Sequence, residues 1–208
     1  MKTLISTSMT AVLAGQTVLG FAPTGTRLSK RAAFSRLYSS MEEKLEKKKE
    51  LERLFSLQVT NEMAASQVYL SASIWCDQND LVGMASFMLS ESSEERDHAL
   101  AFVDFAMKRD IPVRLESVPA PPADWDTPEE LWSDLMKVEK QNTAALMHLA
   151  SVSQDVGDFA ISTFLMPYHM EQVDSEDKLG TILAKVRDEN QTPGLLRQLD
   201  TELGHESK

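Results

Sequence analysis

A carboxylate and an imidazole three residues apart, Glu95 and His98, form the first pair in this sequence that could do chemistry. That spacing puts both side chains on one face of a helix. They belong to the series Met84, Met88, Glu91, Glu95, His98, Phe102 and Phe105, whose alternating steps of four and three trace a single helical stripe. The stripe is otherwise apolar, so it faces a core and its polar members interrupt it. Glu62 interrupts a second stripe, Phe55, Gln58, Glu62, Ala65, Tyr69, Ala72, Cys76, and Glu139 a third, Trp132, Leu135, Glu139, Asn142, Leu146, Leu149. A fourth, Ile161, Leu165, Tyr168, Gln172, Ser175, Leu179, Ile182, Val186, carries Gln172 near its middle.

These interruptions share one depth. Glu62 lies 18 residues before Asp80 and Glu95 lies 15 after it; Glu139 lies 18 before Gly157 and Gln172 lies 15 after it. With turns at Asp80 and Gly157, two helical hairpins bring their polar residues to matching heights. Carboxylates buried together are costly unless they share a cation or a proton. Glu62, Glu95, His98 and Glu139 supply three carboxylates and one nitrogen donor, with Gln172 adding an amide oxygen. Oxygen-rich donors with a single imidazole suit iron or manganese better than structural zinc. Glu91 and Glu94 are further candidate ligands beside the cluster, or simply solvated acids. Tyr69 is expected to pack in the core with its hydroxyl on a carboxylate. His148, His169 and His205 have no matched partners and are read as non-ligands.

The elements that position these residues are helices. Proline is absent between Pro23 and Pro112, and Gly83 is the only glycine between Gly25 and Gly157. No alternating apolar pattern supports a strand. Helices are expected from about Glu42 to Cys76, Leu81 to Arg109, Pro128 to Gln154 and Asp158 to Glu189. A short fifth is expected from Thr192-Pro193 to about Leu203. Thr127-Pro128-Glu129-Glu130 is a helix start, with Thr as N-cap, Pro in the first position and acids in the first turn. Pro167 should remove one hydrogen bond inside the fourth helix and bend it. Short turns make each pair an antiparallel hairpin. The proline-rich link from Ile111 to Asp126 can span roughly 50 Å at about 3.3 Å per residue. That exceeds the roughly 42 Å of a 28-residue helix at about 1.5 Å per residue. One long crossover between two hairpins follows, an all-α four-helix bundle with a short fifth helix.

Of the 208 residues, 32 are acidic and 21 basic, a net charge of −11 that leaves no basic face for nucleic acid. One cysteine excludes an internal disulfide and any cysteine-based metal site. Residues 1–41 nevertheless contain no acid and five bases, Lys2, Arg27, Lys30, Arg31 and Arg36. A mildly apolar run from Leu4 to Leu19 reads as a secretory signal and is too short and polar to span a membrane. Phe21-Ala22-Pro23 and the acid-free, hydroxyl-rich stretch after it have transit-peptide composition. Residues 1–40 are therefore expected to be a bipartite targeting presequence that is removed, leaving a domain at 41–208. Such presequences resemble those of algae with secondary plastids, such as diatoms, which implies delivery to the plastid (chloroplast). The alternative is an ordinary secretory signal with a basic arm.

Glu62 with Tyr69, Glu91-Ser92-Ser93-Glu94-Glu95-Arg96-Asp97-His98, Glu139, and Glu171-Gln172-Val173 resemble the motifs of eukaryotic ferritins in order and spacing, over roughly residues 45–200. The resemblance implies the ferritin-like bundle and a homo-oligomeric shell of 24 subunits. It implies a catalytic, ferroxidase-type subunit that oxidises Fe(II) with dioxygen at a di-iron site, for iron storage and detoxification. Carried over, Glu62, Glu95 and His98 match the first iron site, and Glu95, Glu139 and Gln172 the second, with Glu95 as the bridge. Three positions depart from relatives. Ser162 and Leu165 stand where many animal ferritins place the acidic pair of the three-fold pore. Ser175 stands where some relatives carry another carboxylate. The competing class is a non-enzymatic bundle that only assembles or binds a partner, which would favour apolar or exposed residues at 62, 95, 98 and 139.

Overall fold

The computed structural model describes residues 27–188 and 194–206. Five helices are found there and no strand: α1 (Arg27–Gln78), α2 (Val82–Lys108), α3 (Pro128–Val156), α4 (Phe159–Asp188) and α5 (Leu195–Glu206). The expected apolar signal run and the Thr192-Pro193 helix start lie outside the described residues. The chain divides into two units, Met1–Ser40 and Met41–Lys208. One boundary differs from expectation: α1 begins at Arg27 rather than near Glu42. Residues 27–40 are rich in Arg, Lys, Leu and Ala and lack Gly and Pro, so local propensity alone favours helix. Residues 31–40 are exposed throughout.

The helix ends follow the local chemistry. Asp80 turns α1 into α2 with φ 60°, a left-handed conformation that Asp tolerates better than most residues. The Thr127 hydroxyl accepts from the Glu130 amide at 3.2 Å, while the Glu130 carboxylate accepts from the Asp126 amide at 2.9 Å. Gly157, at φ 76°, ends α3 in the left-handed conformation. α4 runs through Pro167 as one helix.

Cross-helix contacts fix the topology. Ser66 meets Ser92 and Ser73 meets the Ala85 carbonyl, so α1 and α2 are antiparallel. Glu139 meets Gln172 and Ser153 meets Ser162, so α3 and α4 are too. Phe87 and Trp132, each near the start of its helix, pack at 5.9 Å, so α2 and α3 run parallel. The crossover between them lies along α1: the Arg114 amide donates to Ser56 Oγ at 3.0 Å, and Trp125 packs edge-on against Trp75 at 6.1 Å.

Two apolar regions fill the bundle, one on each side of the polar layer. One gathers Phe55, Val59, Phe102, Leu146, Leu149 and Leu165; the other Trp75, Met84, Met88, Trp132, Leu135 and Leu179. Fully burying one such side chain contributes about 1.5–3 kcal/mol. An unpaired buried carboxylate costs several kcal/mol, so a handful of core residues offsets each buried acid. α5 closes the second region with Leu199 and Leu203. It approaches so tightly that a Cβ on Gly83 would sit 1.7 Å from the Asp200 carbonyl oxygen. Only glycine fits there.

Candidate metal centre

All four helices of the bundle deliver a polar side chain to the middle layer. Glu62 comes from α1, Glu95 and His98 from successive turns of α2, Glu139 from α3 and Gln172 from α4; the three glutamates and Gln172 are buried. Glu62, Glu95 and His98 each offer one ligand atom, all within 4.8 Å of one another, an arrangement that could hold a metal ion. Among the described residues this is the one such group of three or more.

Glu62 is fully buried and held on both oxygens. Gln58 Nε2 donates to its Oε1 at 2.7 Å and Asn142 Nδ2 to its Oε2 at 3.1 Å. Gln58 Nε2 also donates to Asn142 Oδ1 at 2.6 Å, which locks the two amides together. Burial pushes the Glu62 carboxyl well above the usual carboxylate range, and the neighbouring Glu95 adds to the effect. Glu95 Oε2 has no hydrogen-bond partner although it is buried. The His98 imidazole, 3.6 Å away, is its ion-pair partner but lies beyond hydrogen-bond distance, which leaves a lone pair that a metal ion or a shared proton could take.

His98 lies between two acids, its Nδ1 3.6 Å from Glu95 Oε2 and its Nε2 3.0 Å from Glu171 Oε1. Burial works to lower its pKa, but Glu171 and Glu95 together outweigh burial and push it up to about 10. The metal-free cluster therefore carries its positive charge on the imidazole. A metal ion would take that place, and its binding would release the proton.

On the other side, Glu139 is occupied by neighbours. The Tyr69 hydroxyl donates to its Oε1, as expected, and Gln172 Nε2 donates to its Oε2 at 3.0 Å. Gln172 Nε2 also reaches the Glu139 carbonyl and Thr143 Oγ1, each at 3.2 Å. Burial raises the Glu139 pKa. Glu91 is half-buried and pushed up to about 7 by burial, with Lys178 Nζ 3.9 Å away as a partial counterweight. Glu94 is exposed.

Three partners were not singled out from the sequence. Glu171 lies off the core stripe of α4, yet its carboxylate reaches His98. Gln58 and Asn142 were visible as polar stripe members, but nothing in the spacing shows that they hold Glu62. Elsewhere, Ser162 shares a hydroxyl contact with Ser153 at 2.9 Å, Leu165 is fully buried and Ser175 is half-buried. His148 is exposed near Glu50, His169 is half-buried and His205 is exposed. No described helix is long and apolar enough to cross a membrane.

Known proteins share this fold. An apo-ferritin crystal structure from Pseudo-nitzschia multiseries is similar at a TM-score of 0.71 and 57% identity, over 74% of this chain and 98% of that one. The crystal structure of a PmFTN variant soaked in iron overnight matches with the same values. A bacterial non-heme ferritin of Campylobacter jejuni is 29% identical over 139 residues, 67% of this chain and 83% of its own. Ferritin BfrB of Mycobacterium tuberculosis is 28% identical over 130 residues, 62% of this chain and 72% of its own. The family model described as a ferritin-like domain matches residues 53–188, from the first buried turns of α1 to the end of α4. The chain belongs to the ferritin family of iron-storage proteins.

Proposed function

We propose that this chain is a ferroxidase-type ferritin subunit, which oxidises Fe(II) with dioxygen at a di-iron site inside its own bundle and stores the ferric product in a shell of 24 copies. The observation that carries this reading is the convergence of Glu62, Glu95 and His98 beside Glu139, with a buried Glu95 oxygen that accepts no hydrogen bond. Glu62, Glu95 and His98 would hold one Fe(II), and Glu95, Glu139 and Gln172 the second. Glu95, the acid common to both sets, would be the bridge. Each Fe(II) gives up one electron; dioxygen takes both, with two protons, and leaves as hydrogen peroxide. Hard carboxylate oxygens favour the Fe(III) product over Fe(II) and so help drive the electron transfer.

The acid-free, basic composition of residues 1–40 supports delivery to a plastid, followed by removal of that segment. The likeness to a diatom ferritin agrees with an algal setting for such a presequence.

Anaerobic Fe(II) titration followed by admission of dioxygen tests the central reading. Two Fe(II) should bind per chain, and about one dioxygen should be consumed per pair. A chain that binds no Fe(II), or oxidises it no faster than buffer does, would leave only the bundle that assembles without chemistry.

A further inference from the structure

The acid cluster is approached from two sides of opposite character. On the α2–α4 side the surroundings are charged: the His98, Glu171 and Glu91 side chains keep 22, 40 and 20% of their area exposed. On the α1–α3 side lies a cavity of about 180 Å³, lined by Asn61, Ala64, Ala65 and Val68 of α1 and Val138, Gln141 and Asn142 of α3. No residue lining it carries a charge.

The floor of this cavity is one side chain from the cluster. Asn142 lines it, is buried, and donates from Nδ2 to Glu62 Oε2 at 3.1 Å. Ala65, also buried, follows Glu62 by one helical turn, and Val138 directly precedes Glu139. Two of the lining residues, Ala64 and Ala65, have short side chains that leave room between the helices. The cavity far exceeds the roughly 10–15 Å³ of such space that one water molecule needs, ample for a diatomic gas.

Charge decides what can use each side. Fe(II) leaving water needs anionic oxygens to replace its hydration shell, and the amides and methyl groups of the α1–α3 cavity offer none. The carboxylates between α2 and α4 do offer them. A small neutral, apolar molecule has the reverse preference: it loses nothing among Ala and Val and gains nothing from Glu171 or Glu91.

We propose that the uncharged cavity between α1 and α3, floored by Asn142 and Ala65, is the port through which dioxygen reaches the acid cluster, apart from the charged α2–α4 side used by Fe(II). The proposal rests on the oxidative reading above. Asn142 then has two tasks, holding Glu62 from within and forming the wall that dioxygen passes.

Stopped-flow oxidation of Fe(II) by the assembled chain, over a series of dioxygen concentrations, tests it. Ala64→Phe fills the cavity from α1, and Gln141→Phe does so from an exposed position on α3 that tolerates a large side chain. Both should raise the KM for dioxygen by at least about threefold while kcat at saturating dioxygen stays at the parent value. Anaerobic Fe(II) stoichiometry should be unchanged. Glu171→Gln should do the opposite, altering the dependence on Fe(II) and leaving the KM for dioxygen alone. If Gln141→Phe folds and keeps the parent's dioxygen dependence, the port is overturned and the oxidative reading stands. Loss of bound iron or of kcat in the Phe variants would show a merely structural cavity and would also overturn it. A parent that neither binds nor oxidises Fe(II) would instead sink the oxidative reading itself.

Discussion

The two halves of the polar layer answer the same problem differently. On the α1–α2 side, Glu62, Glu95 and His98 converge, and one Glu95 oxygen accepts no hydrogen bond, meeting only the His98 imidazole at 3.6 Å. On the α3–α4 side, both Glu139 oxygens are occupied by Tyr69 and Gln172. The first half is held by a loose ion pair, whereas the second is fully hydrogen-bonded. A metal ion should therefore fill the first half more readily, and the second only by displacing or turning hydrogen bonds already made. Order of filling is thus set by how the apo protein satisfies its own acids.

The largest expected effect is at the residue shared by both halves. Glu95→Ala should slow rapid Fe(II) oxidation by at least about 100-fold, beyond the roughly 10- to 100-fold typical of losing an outer partner of a ligand. The shell should still assemble, because removing one acid relieves repulsion within the buried cluster. Parent-like oxidation by this variant, measured by stopped flow, would mean that Glu95 bridges nothing.

The halves separate at the next level. Glu62→Ala and His98→Ala should remove the tighter of two anaerobic Fe(II) binding steps, whereas Glu139→Ala should remove the weaker one. Calorimetric titration distinguishes the cases, and identical isotherms for Glu62→Ala and Glu139→Ala would erase the contrast. Tyr69→Phe tests the resting half alone. It leaves a buried Glu139 oxygen unpaired, which should cost about 1–3 kcal/mol in the metal-free protein. The cost should shrink once Fe(II) takes the vacant place, as thermal unfolding with and without iron would reveal.

A smaller effect belongs to the margin of the cluster. The Glu91 carboxyl is pushed up from an ordinary 4.5 to about 7, so between those values the folded chain holds a proton that the unfolded chain has released. Its contribution to stability is present below about pH 4.5 and lost as the pH rises through about 7. Metal-free Glu91→Gln should match the parent in Tm at low pH and gain on it steadily up to neutrality. A difference in Tm that does not change with pH would show that burial does not govern Glu91. Smallest of all, Glu94→Ala on the solvent side should stay within about 0.5 kcal/mol of the parent.

Much of this was legible in the sequence, and the reason is periodicity. Glu62, Glu95, His98, Glu139 and Gln172 each break an apolar stripe, and equal distances from two turns put them at one height. Stripe logic reports which way a side chain leaves its helix, but not how far it reaches or what it meets. Glu171 leaves α4 off the core direction and bends back to His98, which only the relative placement of α2 and α4 reveals. Gln58 and Asn142 were visible as polar stripe members, yet their grip on Glu62 depends on rotamers. The early start of α1 was missed for another reason: the change in charge near residue 41 marks a compositional boundary, and helix propensity runs straight across it.

The close fit of α5 against α2 has a consequence for synthesis. α2 has no side-chain cap at Leu81, and the Met84 amide finds its acceptor in Asp200 Oδ1, 2.8 Å away in space and 116 residues later in the chain. A nascent chain leaves the ribosome N-terminus first. The first turn of α2, with Leu81 and Met84 beside it, therefore waits uncapped and uncovered until α5 has been made. A chain broken off before Asp200 would lack both that acceptor and the cover of Leu199 and Leu203, so the start of α2 is completed only by the last helix to be made.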